Sequence, residues 1–152
     1  MRSARSEIKD ISPRDLLLIG ATLYWAEGHK RPIMKNGREL TSHSISLTNS
    51  DPKLVKVFLE FAIKICKVPI DKITANVRIF EHLNEENVLS YWARETNIPR
   101  KNFTKTYVGT SRSSMGKKPF NRLPYGVIQI RINNTSLFHR VMGWISGLKS
   151  KF

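Results

Sequence analysis

Three stretches of the chain alternate apolar and polar residues with a period of two: SISLTN (44–49), ITANVRIF (73–80) and YGVIQIRIN (125–133). One side of each is aliphatic, through Ile45 and Leu47, Val77 and Ile79, and Ile128, Ile130 and Ile132. The other side carries Ser44, Ser46 and Thr48, Asn76 and Arg78, and Gln129 and Arg131. Strands with this pattern bury one face and leave the other open. The chain is thereby constrained to a sheet covered on one side, and the cover must come from helices.

The intervening segments supply those helices. Ser12 is a good N-cap, Pro13 suits the first helical position, Asp15 favours the positive end of the dipole, and Ile11 and Leu16 have staple spacing. A helix is therefore expected from Pro13 to Glu27, stopped by Gly28. Asp51 and Pro52 open a second, with an apolar stripe of Leu54, Val55, Phe58, Phe61, Ala62 and Ile65. NEENVLSYWARETN (84–97) reads as a short helix packing Val88, Tyr91 and Trp92, and Asn134 or Thr135 caps a last one through SLFHRVMGWISGL. Asn36-Gly37 marks a hairpin turn, FTKTYV (103–108) a short strand, and the basic, Gly- and Ser-bearing residues 109–124 a mobile loop. The expectation is an α+β fold, an antiparallel sheet with helices on one face. Residues 1–11 form a flexible N-terminal segment and residues 12–152 one domain.

Charge narrows the function. Residues 1–95 carry 15 Lys and Arg against 12 Asp and Glu, whereas the 57 residues from 96 onward carry 11 basic residues and no acidic one. Solvated surfaces mix signs, so this imbalance implies a polyanionic partner, nucleic acid ahead of an anionic membrane surface. With no signal-peptide core and no apolar run near the 20 residues a membrane span needs, a soluble, cytoplasmic protein is expected. The lone Cys66 excludes a disulfide framework and a multi-thiolate zinc site within one chain. His29, His43, His82 and His139 show no zinc-hydrolase spacing, and no phosphate-binding glycine loop occurs. Trp25, Trp92 and Trp144 read as core residues. Tyr107, Phe120 and Tyr125 interleave with basic residues, as base-stacking side chains do.

One stretch is costly as plain structure. LLLIGATLYWAEGHKR (16–31) ends an apolar helix on Glu27, where a carboxylate meets the negative end of the dipole. Glu27 then precedes a basic segment suited to phosphates. Both difficulties vanish if Glu27 holds a divalent ion, and hard oxygen ligands suit Mg²⁺.

GATLYWAEG (20–28) resembles the LAGLIDADG motif of homing endonucleases, a helix of small and apolar residues closing on an acid and a glycine. SISLTNSDPKLVKVFLEF (44–61) is similar to that family's second strand and second helix, and the resemblance extends from Ile11 to Leu148. It implies an αββαββα core with a saddle-shaped sheet and a single-motif homodimer that cuts double-stranded DNA with Mg²⁺. By the same resemblance Glu27 and the Ala26 carbonyl match the metal ligands. Asn49 matches a residue ordering active-site water, and Lys53 and Lys105 are candidates for stabilising the transition state. Gly20, Ala21, Thr22 and Ala26 would let two motif helices approach. Lys30, Arg31, Lys35 and Arg38 would grip phosphates from the first hairpin. Ser44, Ser46, Thr48, Arg78, Gln129 and Arg131 would read bases, with Arg112, Lys117 and Lys118 extending the clamp. The sequence departs from the motif at Thr22, at Trp25 and in ending on Glu rather than Asp. The alternatives are a catalytically silent DNA-binding regulator or RNA-splicing cofactor of the same fold, and a basic RNA-associated structural protein.

Overall fold

The computed structural model describes residues 2–30, 34–39, 43–109 and 123–152. In chain order the elements are α1 (Arg2–Glu7), α2 (Pro13–Glu27), β1 (Met34–Lys35), β2 (Arg38–Glu39), β3 (Ser44–Asn49), α3 (Pro52–Glu60), β4 (Thr74–Ile79), α4 (Glu85–Thr96), β5 (Tyr107–Val108), β6 (Val127–Asn133) and α5 (Thr135–Lys149). The fold is α+β, with a four-stranded mixed sheet in the order β3-β6-β4-β5 and a separate β1–β2 hairpin. No described helix is long and apolar enough to cross a membrane.

Local signals set the helix starts. The Ser12 hydroxyl accepts from the Asp15 N–H while the Asp15 carboxylate accepts from the Ser12 N–H, a complete capping box. Asp51 caps α3, Asn84 caps α4 and Asn134 caps α5, each through its side-chain oxygen. Asn36 and Gly37 both adopt positive φ, the geometry that a two-residue hairpin turn demands.

The sheet is one-sided, as its alternation requires. Ile45 and Leu47, Ala75, Val77 and Ile79, and Ile128, Ile130 and Ile132 are buried against Tyr24, Val55, Phe58, Phe61, Trp92, Leu137, Val141 and Ile145 from the helices. Most of the outward positions stay at least partly exposed. At roughly 1.5–3 kcal/mol for each buried aliphatic or aromatic side chain, this layer is the main driving force of folding.

One expectation is corrected. The sheet is mixed rather than antiparallel, because β5 runs parallel to β4 (Arg78↔Tyr107, Ile79↔Val108). A parallel neighbour needs a crossover, and α4 with the 3₁₀ turn Arg100–Asn102 provides it. Bonds from Thr104 N–H to the Ala75 carbonyl and from Gly109 N–H to the Ile79 carbonyl fasten the returning chain to β4. Residues Arg2–Glu7 form a short helix ahead of α2. The loop expected over 109–124 lies largely outside the described residues.

Candidate nucleic-acid interface

The outward side chains of the sheet form rows fixed by register. Ser46, Arg131 and Thr74 align across β3, β6 and β4; Thr48, Gln129 and Asn76 form the next row; Val127, Arg78 and Tyr107 the one after. No carboxylate occupies an outward strand position. Between these rows lies an open cleft of about 370 Å³ whose lining includes Thr74, Asn76, Arg78, Tyr107, Gln129 and Arg131. Arg78 and Arg131 make no ion pair among the described residues. The Arg78 guanidinium lies over the Tyr107 ring, its carbon 5.5 Å from the centroid. Asn76 Nδ2 donates to the Lys105 carbonyl and, at 3.3 Å, to Thr104 Oγ1. The surface thus combines guanidinium forks, amides and hydroxyls, the groups that pair with base edges in a major groove.

Ser46 is the exception among the expected base readers. It is 3% exposed, and its hydroxyl is buried with no hydrogen-bond partner among the described residues. The chain after α2 runs antiparallel beside β3, with a Gly28↔Leu47 bridge and a His29 N–H to Ser46 carbonyl bond of 2.8 Å. Ser46 is therefore withdrawn from the reading surface, while Ser44 and Thr48 remain at least partly exposed.

The end of α2 is tied down by three devices. Tyr24 Oη donates to the His29 carbonyl at 2.6 Å, Lys30 Nζ donates to the Trp25 and Gly28 carbonyls at 2.8 Å, and it reaches the Tyr24 carbonyl at 3.4 Å. Gly28 is required for packing, since a Cβ there would lie 2.2 Å from the Tyr24 ring. Burial pushes the Tyr24 phenol up to about 12, which keeps the proton needed for its hydrogen bond. Lys30, expected to grip phosphate, has its ammonium on carbonyls at the negative end of the dipole. Lys30 does not pair with Glu27, whose exposed carboxylate makes no ion pair among the described residues. The Ala26 carbonyl accepts no hydrogen bond from Lys30 either.

The Glu27 carboxylate and the Ala26 carbonyl are hard donors of the kind Mg²⁺ takes, and they come from adjacent residues. Among the described residues no three His, Cys, Asp or Glu side chains gather as a metal-holding group. Asn49 stands at the end of β3 that points back toward Glu27, with its Oδ1 accepting from the Asp51 N–H at 2.9 Å. Lys53 follows on the first turn of α3 with an exposed side chain. Lys105 does not join them. It sits beyond β4, at least three strand spacings, about 14 Å, from the β3 edge next to Glu27.

The expected helix-pairing residues divide. Gly20 and Ala21 are buried inside the protomer, and a Cβ on Gly20 would lie 2.1 Å from the Phe61 ring, so they pack against the chain's own core. Thr22 and Ala26 are exposed. They share their face with Leu18 (36% exposed), Ile19 (40%) and Trp25 (37%), residues of helical spacing that form an uncovered apolar stripe. Trp25, expected in the core, instead lies under the Lys149 ammonium at 5.2 Å. The stripe was present in the spacing 18-19-22-25-26, but the 20-21-24 face is equally apolar and sequence alone does not rank them.

Lys35 and Arg38 are paired in register across the β1–β2 hairpin. Arg31, Arg112, Lys117 and Lys118 lie outside the described residues. Compared with known proteins, the chain matches no family model, no curated protein and no solved structure.

Proposed function

We propose that this chain is one subunit of a homodimeric, metal-dependent, site-specific endonuclease of the LAGLIDADG type, acting on double-stranded DNA. One juxtaposition carries the reading: a carboxylate-free sheet face bearing Arg78, Arg131, Gln129 and Asn76, next to a helix that presents an unpaired Glu27 and an uncovered apolar stripe. The sheet face binds the duplex through its major groove. The stripe of Leu18, Ile19, Thr22, Trp25 and Ala26 packs against the same stripe of a second copy, the self-complementary arrangement of a two-fold dimer. That pairing would bring two Glu27 carboxylates and two Ala26 carbonyls together as oxygen ligands for Mg²⁺. These residues would hold the ion, which when bound would supply charge neutralisation at the phosphoryl group and lower the pKa of a water. Lys30 and Tyr24 fix the backbone from which Glu27 projects, and Lys53 offers a cation on the neighbouring helix.

The test is incubation of the protein with a randomised duplex library in Mg²⁺ and, in parallel, in Ca²⁺, followed by sequencing of bound and cut ends. Discrete cuts at a two-fold-related site in Mg²⁺ are the expected outcome. Affinity should fall with salt by about 0.9 in log–log slope per phosphate contacted. A slope near zero, or no duplex binding, would sink the proposal.

A second reading is a catalytically silent DNA-binding regulator or RNA-splicing cofactor of the same architecture. It draws support from Lys105, which stands across the sheet from Glu27, and from Asn49, whose Oδ1 is engaged in the turn before α3. Sequence-selective binding with no cut in Mg²⁺ or Mn²⁺ would favour it.

A further inference from the structure

The outer rows of the sheet are not equally free to read any base. Arg78 and Asn76 are consecutive outward residues of β4, about 6.6 Å apart along the strand. Arg78 is seated on Tyr107, its direct register partner, and lies opposite Val127, which has no side-chain group to compete for its protons. The backbone beneath it is closely packed: Gly126, at a φ of +59°, abuts the Arg78 carbonyl, and a Cβ there would lie 2.1 Å from that oxygen. The ring is itself 63% exposed, so the guanidinium sits at a solvent-facing edge rather than in a pocket. A guanidinium held over a ring, with no carboxylate paired to it among the described residues, presents a two-proton fork, and the matching major-groove edge is guanine O6 and N7.

Asn76 carries a complementary restriction. Its Nδ2 faces the Lys105 carbonyl and Thr104 Oγ1, so both amide protons are engaged within the protein. An asparagine that reads adenine needs one donor and one acceptor; Asn76 keeps only the acceptor. Oδ1 can take a proton from an exocyclic amino group, and the amino group beside a guanine in the same pair is cytosine N4.

From this geometry we infer that the β4–β5 edge reads one G·C base pair: Arg78 donates to guanine O6 and N7, Asn76 Oδ1 accepts from cytosine N4, and Tyr107 holds the guanidinium in place. The inference rests on the duplex-binding reading above and adds the base identity. A symmetric dimer makes the contact once in each half-site.

The experiment is selection of bound duplexes from a randomised library in Ca²⁺, with the wild-type protein and with Arg78→Gln, Arg78→Lys and Tyr107→Leu. Arg78 and Tyr107 are exposed, and thermal melting checks that each variant is folded. Wild type should enrich G·C at one position per half-site. Arg78→Gln should move that position toward A·T, with roughly 5- to 150-fold loss of the original preference and no change elsewhere. Arg78→Lys, which keeps the charge but not the fork, should relax the same position while the salt dependence stays, and Tyr107→Leu should relax it less. Weaker binding to every sequence with the selected site unchanged would make Arg78 a phosphate contact and overturn this inference alone. Wild-type protein that enriches no duplex would overturn it together with the duplex-binding reading.

Discussion

The two sides of the sheet treat charge in opposite ways. On the helical side, basic residues have local partners: Lys56 and Arg94 meet Glu95 at 2.6 and 3.8 Å, Arg100 meets Glu86 at 2.8 Å, and Lys64 pairs with Glu60. Further cations there lie over rings, as Arg94 does over Tyr91 and Arg140 over Trp144. On the open side, Arg78 and Arg131 have no carboxylate at all among the described residues. Exposed ion pairs contribute only about 0–1 kcal/mol each, so the paired side gains little stability from them. Their effect is on the field. Pairing cancels these charges locally, while Arg78 and Arg131 keep theirs on the face that has room for a ligand.

The largest test of this contrast sits at its border. Glu27→Gln should reduce DNA cleavage by more than about 100-fold, beyond what outer-shell partners of a metal usually cost, without loss of melting temperature or DNA affinity. Unfolding of this variant would instead make Glu27 a structural residue. Next, Gly20→Val should destabilise the protomer by about 1–3 kcal/mol in denaturant unfolding, because the added atoms meet the Phe61 ring. Leu18→Glu, on the opposite face of the same helix, should leave the protomer folded and shift the sedimenting species from dimer to monomer. If both variants behave alike, the division of α2 into an inner and an outer face is wrong.

Reversing one charge on each side sharpens the comparison. Arg131→Glu should lower duplex affinity by roughly 10- to 100-fold and flatten the salt slope by about 1, whereas Lys56→Glu should leave both nearly unchanged. Equal losses would show that binding follows total charge and not the open face.

Two smaller effects probe the anchor below Glu27. The Tyr24 phenol is pushed up to about 12 by burial, above its ordinary value near 10. A group whose folded value is raised contributes stability that is whole below the unfolded value and is lost as pH climbs through the folded one. Stability should therefore fall between pH 10 and 12, and Tyr24→Phe should remove that part of the decline. Burial also lifts Cys66, to about 11, so the comparison is made in a Cys66→Ala background. Last, Lys30→Met should cost about 1 kcal/mol by freeing carbonyls at the end of α2, read as a lower denaturation midpoint.

Much of the fold was legible in local sequence. Ser12, Asp51, Asn84 and Asn134 start their helices through contacts within three residues, so the boundaries of α2, α3 and α5 follow from the chain itself. Alternation assigned the inward faces of β3, β4 and β6 for the same reason: a period of two is a property of adjacent residues. The candidate site was less legible. Glu27, Arg78, Gln129 and Arg131 are candidates by residue type and pattern, but the burial of Ser46, the contacts of Lys30 and the distance of Lys105 from Glu27 depend on what lies beside them in space.

The sequence by itself thus determined the starts of α2 to α5, the strands β3, β4 and β6, and which side of each of those strands is greasy. The tertiary structure decided the order β3-β6-β4-β5, the parallel return of β5 and the turning of Gly20 inward with Leu18 and Trp25 outward. It also decided the attachment of Lys30 to the helix end and the seating of Arg78 on Tyr107. The division has one cause. Caps and periodicity act between neighbours in sequence, while pairing, face selection and side-chain partnership join residues far apart in the chain and are fixed only by which arrangement buries the whole core at once.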